Sequence, residues 1–220
     1  MIVFDATKLK LYLVTDPYLC ATFGLLNTVN AAMKGGITMV QLRDKEASTN
    51  DRIGVGKELK KILKDTEIPL IINDDVDAAL AIDADGIHIG QNDKSTVEIR
   101  GKVGKDKIVG LSCETIEDAK AADPALVDYI GISPVFPTPT KSDFNAYIGL
   151  EGISDIANAT SLPSVAIGGL KREHCRKIFS TGCQGMAVVS AICGKDDPYM
   201  EAKLFHDEIR RVFEDKKPVN

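Results

Sequence analysis

Three observations predict a (β/α)₈ barrel. Eight short apolar runs recur along the chain, helical spacing follows them, and the residues that close the runs are unusually polar. Eight consecutive strand–helix units force parallel strands, because each return needs a crossover. In 220 residues that repeat suits a closed barrel, slightly compact for its kind, better than an open doubly wound sheet. The open sheet would need a reversal of strand order. The expectation is therefore one barrel domain over residues 1–220, with a short extension, 1–8, covering the barrel bottom and a polar, frayed tail, 215–220.

Taken in order, the strands are read at Leu11–Thr15, Met39–Arg43, Leu70–Asn73, Gly86–Ile89, Ile108–Ser112, Tyr129–Ile132, Ser164–Ile167 and Gly185–Val189. Each is a run rich in β-branched or large apolar residues, closed by polar residues or glycine. Between the third and fourth, Val76 to Ile82 fits a two-turn helix. Val55, Leu59, Ile62 and Leu63 share one helical face, as do Phe205, Ile209, Val212 and Phe213. Gly35-Gly36 and Gly182 supply helix stops.

Composition excludes several classes of function. Lys and Arg number 27 against 32 Asp and Glu, for a net charge of −5 and a pI near 5.3, so no basic stripe for nucleic acid is expected. No apolar run reaches the length of a membrane span, and MIVFDATKLK lacks a basic segment followed by a long apolar one. A soluble, cytoplasmic protein follows as the expectation. The five cysteines are odd in number, widely spaced and free of a C-x-x-C pattern, so they read as reduced, buried thiols. Cys113 beside Ser112 has no histidine near it in sequence to make it a nucleophile.

In a barrel the active site lies at the carboxyl ends of the strands, so the residues closing each strand are the candidates. Asp74 and Asp93 close the third and fourth strands and should face one another. Two such carboxylates repel unless a cation lies between them, and a hard divalent ion suits oxygen ligands. The alternative is that they cap the helices that follow, which is the reading preferred for Asp75. Gln41, Arg43 and Lys45 are spaced by two, which in an extended segment puts all three on one face. Arg43 in a barrel mouth needs an anion, unless it pairs with Asp44 or Glu46. Ser112 offers a hydroxyl to the site or caps the helix starting near Thr115.

The segment 133–148, SPVFPTPTKSDFNAYI, is long for a strand–helix connection, and its prolines limit its freedom. It reads either as a positioned arm bringing Thr138, Thr140 and Lys141 to phosphate oxygens or as a solvated loop. Gly168-Gly169 and Val189-Ser190, after the seventh and eighth strands, stand where barrels often bind phosphate through backbone N–H groups and a short helix start. The alternative for Gly169 is a left-handed turn. His88 reads as an inward, hydrogen-bonded core histidine, and His174 and His206 as helical residues far from the strand tops.

The segments LYLVTD, VQLRDK, IINDD, ADGIHIGQND, GLS, DYIGISPVFPTPTK, AIGG and AVVSAI, taken together in this order and spacing, resemble the thiamin phosphate synthase family from Tyr12 to Pro198. The resemblance implies a transferase that joins a pyrimidinylmethyl diphosphate to a thiazole phosphate, releasing diphosphate with Mg²⁺ bound. By the same resemblance Gln41, Arg43, Lys45, Asn73, Ser112 and Lys141 contact the pyrimidine diphosphate, with Arg43, Ser112 and Lys141 in catalytic roles. Asp74 and Asp93 hold the metal, and Thr138, Thr140, Gly169, Val189 and Ser190 hold the thiazole phosphate. Ser133 stands where many relatives have glycine, and Cys113 occupies a variable place. Such chemistry needs charge stabilisation on departing oxygens rather than a nucleophilic side chain. The competing readings are a thiazole tautomerase, which has no use for paired aspartates or the Gln41–Arg43–Lys45 set, and a non-catalytic barrel that binds a phosphorylated ligand. The implied partners are small molecules, with self-association into a homo-oligomer also open.

Overall fold

The computed structural model describes residues 4–138 and 147–215. Eight parallel strands close into a barrel in sequence order: β1 (Leu11–Val14), β2 (Met39–Leu42), β3 (Leu70–Asn73), β4 (Gly86–Ile89), β5 (Ile108–Cys113), β6 (Tyr129–Ile132), β7 (Ser164–Ile167) and β8 (Gly185–Val188). β8 returns to pair with β1, Tyr12 opposite Ala187, so no edge remains. The helices are α1 (Leu25–Gly35), α2 (Thr49–Ile62), α3 (Val76–Ala81), α4 (Thr96–Val103), α5 (Ile116–Ala121), α6 (Gly149–Asn158), α7 (Cys175–Ser180) and α8 (Pro198–Glu214).

Strand alternation sorts the apolar residues into two cores. Leu11, Leu13, Val40, Leu42, Ile72, Ile130 and Val188 point outward and pack beneath the helices. Tyr12, Val14, Met39, Ile71, Tyr129, Val165 and Ala187 point inward and, with Leu9, fill the barrel. Phe4 stacks on Tyr129 at 5.6 Å between ring centres.

Local chemistry starts the helices where the chain must leave the rim. Ser48 and Asp51 form a reciprocal cap for α2, and Thr115 and Asp118 do the same for α5. Asp75 caps α3 and Asp197 caps α8, whose first residue is Pro198. Gly36, at φ 100°, ends α1. No described helix is long and apolar enough to cross a membrane.

The strands predicted from sequence are all present, with small corrections at their ends. Thr15, Arg43 and Val189 lie just beyond β1, β2 and β8, the Arg43 N–H turning to the Thr15 side chain rather than to a strand carbonyl, while β5 continues to Cys113. On α8, Phe205, Ile209 and Val212 are buried as expected, but Phe213 is 36% exposed. Its ring is covered instead by Phe179 and by the Lys10 ammonium. All five cysteines are buried and unbridged.

Candidate functional site

A cavity of about 780 Å³ opens at the carboxyl ends of the strands. Gln41, Arg43, Lys45, Asn73, Asp74, Asp93, Ser112, Thr138, Gly169, Val189 and Ser190 all line it. Thr140 and Lys141 lie outside the described residues. Every other predicted site residue therefore reaches one mouth, although the set spans most of the chain.

The cationic side begins on β2. Gln41 is buried in the barrel and its amide donates to Tyr12 Oη at 2.8 Å. Two residues on, the Arg43 backbone N–H donates to Thr15 Oγ1 at 3.1 Å, which fixes the backbone as it leaves the strand. Lys45 also lines the cavity, although the chain bends there rather than continuing the strand. Neither Asp44 nor Glu46 pairs with Arg43. The Asp44 carboxylate accepts instead from the backbone N–H groups of Glu46 and Ala47.

The acidic side is built on β3 and β4. Asp74 sits at φ 61°, and the Asp75 N–H donates to Asn73 O at 2.7 Å across it, making a γ-turn of the uncommon positive-φ kind. Held there also by its own N–H bond to His88 O, Asp74 turns its carboxyl to the cavity. Asp93 is fixed by a 2.7 Å bond from Gly90 N–H. Burial first, then the charge of Asp93 and a shared hydrogen bond with it, push the Asp74 carboxyl up to about 6, against the opposing pull of Asn73 and Lys45. Such a pair is short of positive charge. Among the described residues no third His, Cys, Asp or Glu joins it to make a protein-only metal cage. The donor set, two converging carboxylates open to a cavity, fits a hard cation whose other ligands are water or ligand oxygens. Asp75 points away: it caps Ala78 N–H and pairs with Arg52 at 2.9 Å.

Ser112 does not cap α5, a role taken by Thr115, and its Oγ lies 3.0 Å from His88 Nε2. His88 is the inward, hydrogen-bonded residue expected, its Nδ1 lying 3.0 Å from Tyr129 Oη. On the far rim, the loop after β6 is tied to β7 by Val135 N–H to Ile167 O and Phe136 N–H to Gly168 O. Gly169 has φ 64°, and a Cβ there would stand 2.6 Å from Pro137 O. The turn and the close approach both demand glycine. After β8 the chain forms a hydrogen-bonded turn at Val189–Cys193 rather than a helix, α8 starting only at Pro198.

One expectation from the sequence needs amending. His174 lies in a 3-10 turn shortly after β7, with its ring 4.5 Å from that of Phe136, so it is closer to the strand tops than helical spacing suggested. His206 does sit on α8 against Gly36. The sequence reading also overlooked Tyr12, a lining residue, and Gln91, whose amide donates to Ser112 O at 2.7 Å. Tyr12 sits in an unbroken apolar run that does not mark its inward direction, and nothing in the pattern marked Gln91.

A family model described as thiamine monophosphate synthase matches residues 11–192. A thiamine-phosphate synthase of Psychrobacter sp. (strain PRwf-1) is 47% identical over 203 residues, covering 91% of this chain and 95% of that protein. One from Syntrophomonas wolfei is 43% identical over 205 residues, covering 93% and 96%. Among solved structures, the thiamine phosphate pyrophosphorylase of Pyrococcus furiosus superposes with a TM-score of 0.85 at 33% identity, covering 94% of this chain and 98% of that one.

Proposed function

This chain belongs to the thiamine monophosphate synthase family, and from that premise we propose how its rim residues make thiamin phosphate. The substrates are 4-amino-2-methyl-5-pyrimidinylmethyl diphosphate and 4-methyl-5-(2-phosphoethyl)thiazole. The methylene C–O bond breaks, its electron pair leaves with diphosphate, and the thiazole nitrogen lone pair forms the new C–N bond. The electron-rich aminopyrimidine stabilises the intervening cation, so no nucleophilic side chain is required.

Gln41, Asn73 and Ser112 bind and orient the pyrimidine. Arg43 and Lys45 grip the diphosphate, Arg43 through its planar fork and Lys45 as a point charge, each worth more in a closed site than in water. Lys141, from the loop after β6, adds a third charge on the departing oxygens. Asp74 and Asp93 would hold Mg²⁺, which when bound supplies further neutralisation of the diphosphate. Thr138, Thr140 and the backbone N–H groups about Gly169, Val189 and Ser190 take the thiazole phosphate. Ser112 also keeps the reacting methylene in line with the incoming nitrogen.

The observation that carries this reading is the convergence of cations and paired carboxylates, from three strand ends, on a single cavity. The test mixes both substrates with Mg²⁺ and measures diphosphate and thiamin phosphate together. Release that requires both substrates is expected. Binding without release would leave a ligand-binding barrel, and conversion of a thiazole alone would leave a tautomerase.

A further inference from the structure

Beneath the cavity a chain of hydrogen bonds crosses the barrel interior from β2 to β5. Gln41 Nε2 donates to Tyr12 Oη at 2.8 Å, and Tyr12 Oη lies 3.0 Å from Tyr129 Oη. Tyr129 Oη is 3.0 Å from His88 Nδ1, and His88 Nε2 is 3.0 Å from Ser112 Oγ. Both ends, Gln41 and Ser112, line the cavity, and both phenols are buried to within 1% of full burial. Room for the middle of the chain is made by Gly110, opposite His88 and Tyr129 in the sheet, where a Cβ would come 2.4 Å from both His88 Nδ1 and Tyr129 Oη. A site that needs a glycine to admit two polar side chains is built around their contact.

Counting hydrogens gives the chain a direction. With the imidazole neutral, only two arrangements place one hydrogen in each of the four contacts. In the one that matches the orientation of Gln41, Tyr12 receives the amide hydrogen and passes its own to Tyr129, and Tyr129 donates to His88 Nδ1. The imidazole hydrogen is then on Nε2 and goes to Ser112 Oγ. That leaves Gln41 Oε1 as an acceptor and the Ser112 hydroxyl as a donor, both available to the cavity. The second arrangement reverses every bond, so the two ends can only turn over together. A mismatch strands a buried hydrogen or sets two oxygens lone pair to lone pair, and an unsatisfied buried hydroxyl costs about 1–3 kcal/mol. No buried polar side-chain atom among the described residues lacks a partner. Burial also pushes both phenols above their ordinary value, which keeps them as O–H groups.

We propose that Tyr12, Tyr129 and His88 are positioning residues whose ordered hydrogen bonds fix Gln41 as acceptor and Ser112 as donor, and so select an aminopyrimidine over its oxo counterpart. The choice of ligand rests on the function proposed above; the ordering of the chain does not. An amino group meets Gln41 Oε1 with a donor, and the ring nitrogen beside it offers an acceptor. An oxo group exchanges those roles. Accepting it would require all four bonds to reverse.

The first measurement is ¹⁵N NMR of the imidazoles in the ligand-free protein, where only three histidines contribute. His88 is expected with its hydrogen on Nε2, and Tyr129→Phe is expected to release it to a mixture of tautomers. A hydrogen found on Nδ1, or a tautomer unmoved by Tyr129→Phe, overturns the proposal. The second is steady-state kinetics. Tyr129→Phe should raise KM for the aminopyrimidinylmethyl diphosphate about tenfold, weaken its preference over the oxo analogue, and leave KM for the thiazole phosphate unchanged. A residue with only a packing role would move melting temperature and both KM values together, and that outcome also overturns it. Tyr12→Phe carries the same expectations should Tyr129→Phe fail to fold. If the wild-type protein releases no diphosphate, the proposed function falls, while the tautomer measurement still decides the chain.

Discussion

The carboxyl group of Asp74, in the γ-turn that ends β3, stands within hydrogen-bonding reach of that of Asp93, in the loop after β4. Their mutual repulsion and partial burial would be relieved by the divalent ion proposed for them. Asp74→Asn and Asp93→Asn are each expected to abolish the gain in diphosphate affinity that Mg²⁺ provides. Metal-free binding at Arg43 and Lys45 should persist. Calorimetric titration of diphosphate with and without Mg²⁺ checks this, and a Mg²⁺ effect undiminished in both variants would remove these residues as ligands.

Arg43 is held at the rim by Thr15 and has no described carboxylate partner. Arg43→Lys keeps the charge but loses the fork that matches two phosphate oxygens. Turnover per KM for the pyrimidine diphosphate should fall by roughly tenfold to a hundredfold, about 1.4–2.7 kcal/mol. Affinity for the thiazole phosphate should not change. Initial-rate measurements varying each substrate in turn separate the two.

Lys141→Ala should depress turnover far more than it weakens thiazole phosphate binding, because its charge is asked to act on the departing diphosphate. Single-turnover rates alongside equilibrium binding report the difference. Equal turnover in the variant would refute the role.

Asp75 is a stability residue by its contacts. Burial alone would raise its carboxyl, but hydrogen bonds from Ala78 N–H, Thr49 and Arg52, with the Arg52 charge, outweigh that and lower it from 3.8. A depressed folded value means its contribution is complete above the unfolded carboxylate range and is lost as pH falls through the folded value. Asp75→Ala should cost about 1–2 kcal/mol at neutral pH, or roughly 2–8 °C in melting temperature. It should also flatten the acid limb of the stability curve below about pH 4. Thermal melts from pH 3 to pH 8 test the sign, and Mg²⁺ dependence of activity should be intact, since the side chain points away from the cavity.

How much of this could be read from the chain depends on which physical signal each residue carried. Strands buried on both faces appear as continuous apolar runs, so all eight were legible to within a residue. The same property hides which side chains point inward. Tyr12 and Tyr129 therefore passed as strand filler, and only His88, a polar residue in an apolar run, was marked as inward. Arg43 and Lys45 were legible because they follow Gln41 at a spacing of two in the sequence, just past the strand end. Gln91 was not, because its partner, Ser112 O, comes from the neighbouring strand. His174 was misjudged for a related reason: a 3-10 turn carries no sequence period to distinguish it from the helix that follows.

The inner layer of Leu9, Met39, Tyr12, Tyr129 and Ile71 closes the barrel beneath the cavity. Among the described residues the cavity opens at the strand carboxyl ends and is closed below. Whatever enters last stands between the first arrival and bulk solvent, and a leaving group can depart only past it. A blind-ended chamber thus ties the order of release to the order of entry.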